Sequence, residues 1–193
     1  MARTPSIMLD LGTQAPAFTL PEPAIGTSVS LSNYTGQPVM IVFLCNHCPY
    51  VKHIASRLGE LGEEYAKEGV VFIAINSNDA DNYPDDAPEK MADFMREYGI
   101  GFHYLYDETQ AVAKQYKAAC TPDFYLFDSN HALVYRGQFD GARPHNAVPV
   151  SGDDLRGAIN ALLANMPVNL TQIASLGCNI KWKPGNEPAY YAG

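Results

Sequence analysis

The chain has 193 residues, 47% of them hydrophobic and 18% charged, with a formal net charge of −8. This is enough length and apolar content for a folded domain with a proper core, and the acidic balance argues against nucleic acid or an anionic membrane as the main partner. No apolar run approaches the ~20 residues of a membrane span. The N-terminus, MARTPSIMLDLG, lacks the apolar stretch of a secretory leader, so a cytoplasmic location is expected. In that reducing compartment four cysteines are not expected to form a structural disulfide framework.

Residues 12–38 are rich in Pro, Gly, Ser and Thr and carry two short apolar pieces, AFTL and SVSL, which predict a β-hairpin. PVMIVFL (38–44) is a continuous apolar run with β-branched residues, suited to a strand buried on both faces. A helix is expected to begin near Cys45, with Ile54, Leu58, Leu61 and Tyr65 as its buried stripe and Gly69 as its stop. VVFIAI (70–75) predicts a second buried strand. Strand, helix and strand at this length imply a parallel pair with a right-handed crossover. Asp86, Pro88 and Glu89 predict a capped second helix, buried through Met91, Phe94, Met95 and Tyr98. FHYLY (102–106) suggests a short strand, and Asp107 with Gln110 a capping box for a helix to about Tyr116. DFYLFD (123–128) and ALVYRG (132–137), separated by SNH, predict an antiparallel hairpin. Ser151 and Asp154 open a last helix bearing Leu155, Ile159, Leu162 and Leu163, and from Met166 onward the chain reads as irregular. The expected fold class is α/β, a mixed sheet flanked by helices with an N-terminal β-hairpin and an irregular C-terminal tail. One domain over residues 1–193 is expected, with a core at 10–165 and the tail, 166–193, packed on it.

Chemistry concentrates in VFLCNHCPYVKHI (42–54). Cys45 falls where a buried strand gives way to a helix, and the first-turn amides and helix dipole favour negative charge there. A thiol at that point is expected to have a depressed pKa, and the thiolate is the nucleophile. Cys48, three residues on, is close enough for a disulfide. Cys45 is therefore read as the exposed attacking thiol and Cys48 as the resolving one, in a cycle that passes through a mixed disulfide at Cys45. His47 is a candidate tuning residue: protonated, it would favour the thiolate, although the helix N-terminus opposes a cation and leaves the neutral form open. Pro49 suits the first helical turn, and Lys52 reads as a solvated side chain. Two buried cysteines that only pack would also satisfy the composition, but C-x-x-C at a strand-to-helix junction favours redox chemistry.

Cys45, His47, Cys48 and His53 also invite a metal. A structural zinc site takes four ligands, commonly as paired motifs, yet no second C-x-x-C or H-x-x-x-H exists, and His103, His131 and His145 stand singly. Copper(I) on two thiolates and an imidazole is the surviving variant of that reading. No metal and no bound cofactor are expected.

The second constellation is AACTPDFYLFD. Thr121-Pro122 enters an apolar strand, where proline is normally excluded. A cis peptide at a tight turn is one resolution, and a trans proline at the first residue of a strand is the other. Beside a dithiol, Thr121 and Pro122 are candidates to bind substrate by offering backbone groups to an extended chain.

PVMIVFLCNHCP followed by CTPDFYLFD resembles the thioredoxin superfamily. With the lead-in GTQAPAFTL and SVSLSNYTGQPVMIVF, it is most similar to AhpC/TSA peroxiredoxin-like and TlpA/ResA-like thiol–disulfide oxidoreductases, over roughly residues 10–165. The tail LGCNIKWKPGNEP is similar to that of a bacterial branch of these proteins. The resemblance implies a thioredoxin fold, with Cys45 as nucleophile, Cys48 as resolving cysteine and Pro122 as the cis-proline. Two positions depart from it. Peroxidatic members carry P-x-x-x-T-x-x-C, and here Pro38 and Cys45 match the ends while Val42 replaces the threonine, which shifts the expectation from peroxide reduction to disulfide exchange. Thioredoxins carry a buried aspartate six residues before the first cysteine, and here that position is Val39, leaving His47 or water to take a proton from Cys48.

Cys120, two before Pro122, is expected near the dithiol. Cys178 lies in the tail, which would fold over the body with Trp182 as anchor. Cys178 then approaches Cys120 or the dithiol as an auxiliary electron relay, unless both are inert buried thiols. Asn76, Asn78 and Asp79 read as turn residues or as lining for a groove. Arg143 reads as substrate-facing or solvated. The expected function is thiol–disulfide exchange between a protein or small-molecule disulfide and a thiol reductant. The alternatives are a thiol peroxidase, and a copper-binding chaperone or redox-sensing binding module.

Overall fold

The computed structural model describes residues 3–191. The chain opens with a short strand, β1 (Arg3–Pro5), that nothing in its composition announces. The expected hairpin follows as β2 (Thr19–Glu22) and β3 (Thr27–Ser30), paired antiparallel. PVMIVFL becomes β4 (Val39–Phe43), buried at every residue. Successive side chains of a strand point to opposite faces. Accordingly Val39, Ile41 and Phe43 enter one core cluster and Met40 and Val42 the other.

The helix after β4 is α1 (Pro49–Ala66), and it starts four residues later than expected. Pro49 occupies its first turn, where a missing amide hydrogen costs nothing, and Cys48 is the N-cap with extended backbone (φ −66, ψ 124). Cys45 therefore sits in the strand-to-helix loop rather than in a helical turn. The predicted stripe of Ile54, Leu58, Leu61 and Tyr65 is buried. β5 (Val71–Asn76) runs parallel to β4. Next comes α2 (Pro88–Tyr98), whose N-cap is Ala87 and not Asp86. Met91 and Phe94 are buried on it, with Met95 and Tyr98 packed partly against the same cluster.

β6 (His103–Tyr106) is parallel to β5. The following helix, α3 (Ala111–Gln115), is short, and Gln110 at its N-cap is left-handed (φ 62) and closes no capping box. Its side-chain amide instead donates to the carbonyls of Ser77 (2.8 Å) and Lys181 (2.9 Å), tying the tail to the body. The chain then forms β7 (Cys120–Thr121), a cis Thr121–Pro122 peptide, and the antiparallel hairpin of β8 (Asp123–Phe127) and β9 (Leu133–Gly137). α4 (Asp153–Leu163) buries Leu155, Ala158 and Ile159. The tail is not irregular throughout: Leu176–Asn179 forms β10.

The central sheet has the order β6-β5-β4-β8-β9, with β6, β5 and β4 parallel and β8 and β9 antiparallel to their neighbours. This is the mixed α/β architecture expected. Leu58, Met91, Tyr104 and Ile159 fill one face, and Phe43, Tyr116, Tyr125 and Trp182 the other. A second, three-stranded sheet has the order β1-β10-β7 and lies at the Thr121–Pro122 end of the molecule. Among the described residues no helix is long and apolar enough to cross a membrane.

Candidate active site

β4 carries Cys45 to its carboxyl end, α1 holds Cys48 as N-cap, and β7 and β8 bring Thr121 and Pro122 up against both. Cys45 Sγ lies 3.3 Å from Thr121 Oγ1, and Cys48 Sγ lies 3.2 Å from the Thr121 carbonyl oxygen. The two cysteines and the Thr-Pro step, separated by more than 70 residues, thus form one site as anticipated. The expectation of an exposed Cys45 is overturned: Cys45 and Cys48 are both 0% exposed. Thr121 and Cys178 of the tail strand pack directly against them.

The electrostatics also differ from the expectation. Burial, reinforced by the hydrogen bond to Cys48 and by Asp86, pushes the Cys45 thiol well above its usual value. Cys48 moves the other way, because hydrogen bonds from Cys178 and Cys45 stabilise its anion. The Val51 amide, in the first turn of α1, aims its positive end at the same sulfur without closing a cap bond. Of the two thiols it is therefore Cys48 whose ionisation is favoured, and the helix begins four residues later than its dipole was expected to act.

His47 is held by a residue the sequence had assigned elsewhere. Asp86, fully buried, lies in a 3₁₀ turn (Pro84–Asp86) and reaches back to the CNHC loop instead of capping α2. Its Oδ1 accepts from the Asn46 and His47 amides (2.8 and 3.1 Å), and its Oδ2 from His47 Nδ1 (2.6 Å) and Asn78 Nδ2 (2.7 Å). The bond to Asp86 raises the His47 pKa against the opposing effect of burial. The ring stacks on Tyr83 with centroids 5.9 Å apart. Asn76 donates to the Asp86 carbonyl (2.8 Å), and Asn78 accepts from the Lys181 amide (2.8 Å). These asparagines therefore brace the loop and the tail. Asp86 escaped the sequence reading because an aspartate two before a proline and a helix looks like a cap.

Cys45 Sγ, a His47 ring nitrogen and an Asp86 oxygen lie within 4.8 Å of one another. Each Asp86 oxygen already accepts two hydrogen bonds, so a cation there would have to displace the contacts that shape the loop. Neither Cys48 nor His53 belongs to that trio.

The tail supplies the remaining surprise. β10 pairs antiparallel with β7, Cys178 opposite Thr121 and Asn179 opposite Cys120. The edge on which Thr121 was expected to receive an extended substrate is thus filled by the chain itself. Cys178 Sγ lies 2.9 Å from Cys48 Sγ, while Cys120 Sγ faces the Pro122 carbonyl at 3.6 Å. Burial raises the Cys120 thiol well above its usual value. Trp182 packs in the core cluster that contains Phe43 and Tyr116. Arg143 is half-buried, and its guanidinium donates to the Asp140 carbonyl (2.7 Å) and to Gln138. Val39 and Val42 are fully buried apolar strand residues.

The AhpC/TSA family model matches residues 11–136. The chain belongs to the AhpC/TSA family. Among relatives, peroxiredoxin Q of Oryza sativa subsp. japonica is 28% identical over 138 residues, which cover 66% of this chain and 59% of that protein. Thiol-disulfide oxidoreductase ResA of Halalkalibacterium halodurans is 28% identical over 123 residues, covering 64% and 65%. The chain therefore spans less than two thirds of the length of these curated relatives. Among solved structures, an uncharacterized conserved protein from Geobacillus kaustophilus is 50% identical, with TM-score 0.93 and coverage of 96% of this chain and 98% of that one. The thioredoxin domain of a thiol-disulfide oxidoreductase from Bacteroides vulgatus, 20% identical with TM-score 0.57 over 66% of this chain and 88% of that one, shares the fold. The family member described here accordingly has a thioredoxin fold, to which β1 and the tail strand β10 add a small sheet at the dithiol end.

Proposed function

We propose that this protein is a thiol–disulfide oxidoreductase that exchanges disulfides through Cys45 and Cys48. The observation that carries the reading is the convergence of both sulfurs on Thr121 at the end of a buried strand, 3.3 and 3.2 Å from its hydroxyl and carbonyl oxygens. Relatives named for the same chemistry support it. Cys45 attacks a substrate disulfide, RS–SR′. Its proton passes along the hydrogen bond to the Cys48 thiolate, R′S⁻ leaves, and RS–Cys45 is formed. Cys48 gives up that proton to the departing R′S⁻ and attacks Cys45 Sγ, closing the Cys45–Cys48 disulfide and releasing RS⁻, which takes a proton from solvent. The substrate is reduced to two thiols, the protein is oxidised by the same two electrons, and an external dithiol restores it. The Thr121 hydroxyl favours the Cys45 anion, and a protonated His47 adds positive charge beside it. No metal or cofactor enters any step.

A second reading, thiol peroxidase, is favoured by one observation: the Thr121 hydroxyl stands beside Cys45 Sγ although Val42 supplies none. Assaying one sample for disulfide reduction with a dithiol donor and for hydroperoxide consumption separates the two. Robust peroxide turnover with negligible disulfide reduction overturns the oxidoreductase reading. Cys45→Ser is expected to abolish the activity, and Cys48→Ser to accumulate mixed disulfides at Cys45, detectable by intact mass.

A further inference from the structure

Cys48 has a sulfur neighbour on the tail as well as in its own motif. Cys178 Sγ stands 2.9 Å from Cys48 Sγ, less than an ångström beyond the ~2.05 Å of a disulfide bond. This approach is built by several independent fastenings. β10 is paired on both edges, with Cys178 opposite Thr121 of β7 on one side and Arg3 of β1 on the other. Gly177 permits the close packing, since a Cβ there would fall 2.0 Å from the Thr121 carbonyl oxygen. Upstream, Ser175 Oγ donates to the Gly137 carbonyl at 2.5 Å. Downstream, the Ile180 amide donates to Ala119 (3.1 Å) and the Asp79 amide to the Lys181 carbonyl (2.8 Å). The tail thus lies where an extended substrate would add to β7, and it presents a thiol to the dithiol as such a substrate would.

We infer that Cys178 is a third redox thiol, which takes over the disulfide from Cys45 by exchange at Cys48; this rests on the oxidoreductase reading above. In the oxidised protein the Cys178 thiolate attacks Cys48 Sγ. The Cys48–Cys178 bond forms, the Cys45–Cys48 bond breaks, and Cys45 leaves as a thiolate that takes up the proton Cys178 has lost. No electrons enter or leave: one disulfide and one thiol become one disulfide and one thiol. Cys45 is again a free thiol, and the oxidising equivalent sits on the tail strand. There an external dithiol attacks Cys178, forms a transient mixed disulfide, and closes its own disulfide as Cys48 and Cys178 return to thiols. Substrate and reductant then meet the protein at different sulfurs. Cys120, turned to the Pro122 carbonyl, has no place in the exchange.

The test uses the full chain, reduced, desalted without oxygen and treated with one equivalent of hydroxyethyl disulfide. Samples are quenched in acid at intervals, alkylated, digested without reductant and mapped by mass. The expected result is a Cys45–Cys48 bond that gives way to Cys48–Cys178, with Cys45 becoming alkylated and Cys120 alkylated throughout. A Cys45–Cys48 bond that persists with Cys178 always alkylated overturns the relay and leaves the oxidoreductase reading standing. The absence of any protein disulfide overturns both. In Cys178→Ser, the same reagent is expected to leave the Cys45–Cys48 bond as the lasting product with Cys120 alkylated; loss of that bond as fast as in the wild type overturns the relay.

Discussion

At the residue scale the informative side chain is Asp86. A buried carboxylate is tolerated when each oxygen is hydrogen-bonded, and here four donors from the CNHC loop and Asn78 do this. The same contacts shape the loop and raise the His47 pKa above its usual 6.5. Two outcomes are expected. In Asp86→Asn, the His47 ring is expected to titrate at lower pH than in the wild type, as read from its proton NMR shifts. For stability, a histidine whose folded pKa is raised contributes fully below its unfolded value and loses that contribution as pH rises through the folded value. The Tm gap between wild type and His47→Gln is therefore expected to be widest below pH 6.5 and to shrink above it. Asp123 follows the same sign by another route. Burial raises its carboxyl from 3.8 to about 6, so ionising it opposes folding as pH rises through that value. Asp123→Asn is expected to gain stability relative to the wild type between pH 4.5 and 7.5, measured as the difference in urea midpoints.

At the scale of elements, β10 shows how a strand arises without a pattern. LGCN has neither alternation nor a β-branched run, but β1 and β7 satisfy its backbone from both edges. The arrangement depends on Gly177, whose replacement by alanine would drive a methyl group into the Thr121 carbonyl. Gly177→Ala is expected to cost about 1–3 kcal/mol in urea unfolding, as overpacking does. It is also expected to make Cys178 react faster with a thiol reagent in the native protein. Unchanged stability and reactivity would show that β10 does not depend on this close approach. α1 contrasts with β10. Its stripe is plain in the sequence, and only its first residue was misplaced, because Pro49 sets the start of the helix and leaves Cys48 as cap.

At the scale of the whole molecule, the sheet has two filled faces, and Leu58 at the centre of α1 is fully buried in one of them. Leu58→Ala is expected to cost about 2–5 kcal/mol in urea unfolding, the usual range for emptying such a position. The sequence by itself determined the buried runs 38–44, 70–75 and 123–128, which fold as strands to within a residue at each end, the stripe of α1 and the C-x-x-C at the strand end. Periodicity and turn chemistry are local, and a few neighbouring residues suffice to express them. Only the tertiary structure decided that Asp86 holds His47, that ionisation is disfavoured at Cys45 and favoured at Cys48, and that the tail fills the edge at Thr121 and sets Cys178 against the dithiol. Each of these depends on contacts between residues 39 to 130 positions apart. Such contacts follow from how the sheet is assembled, and no spacing within the chain records them.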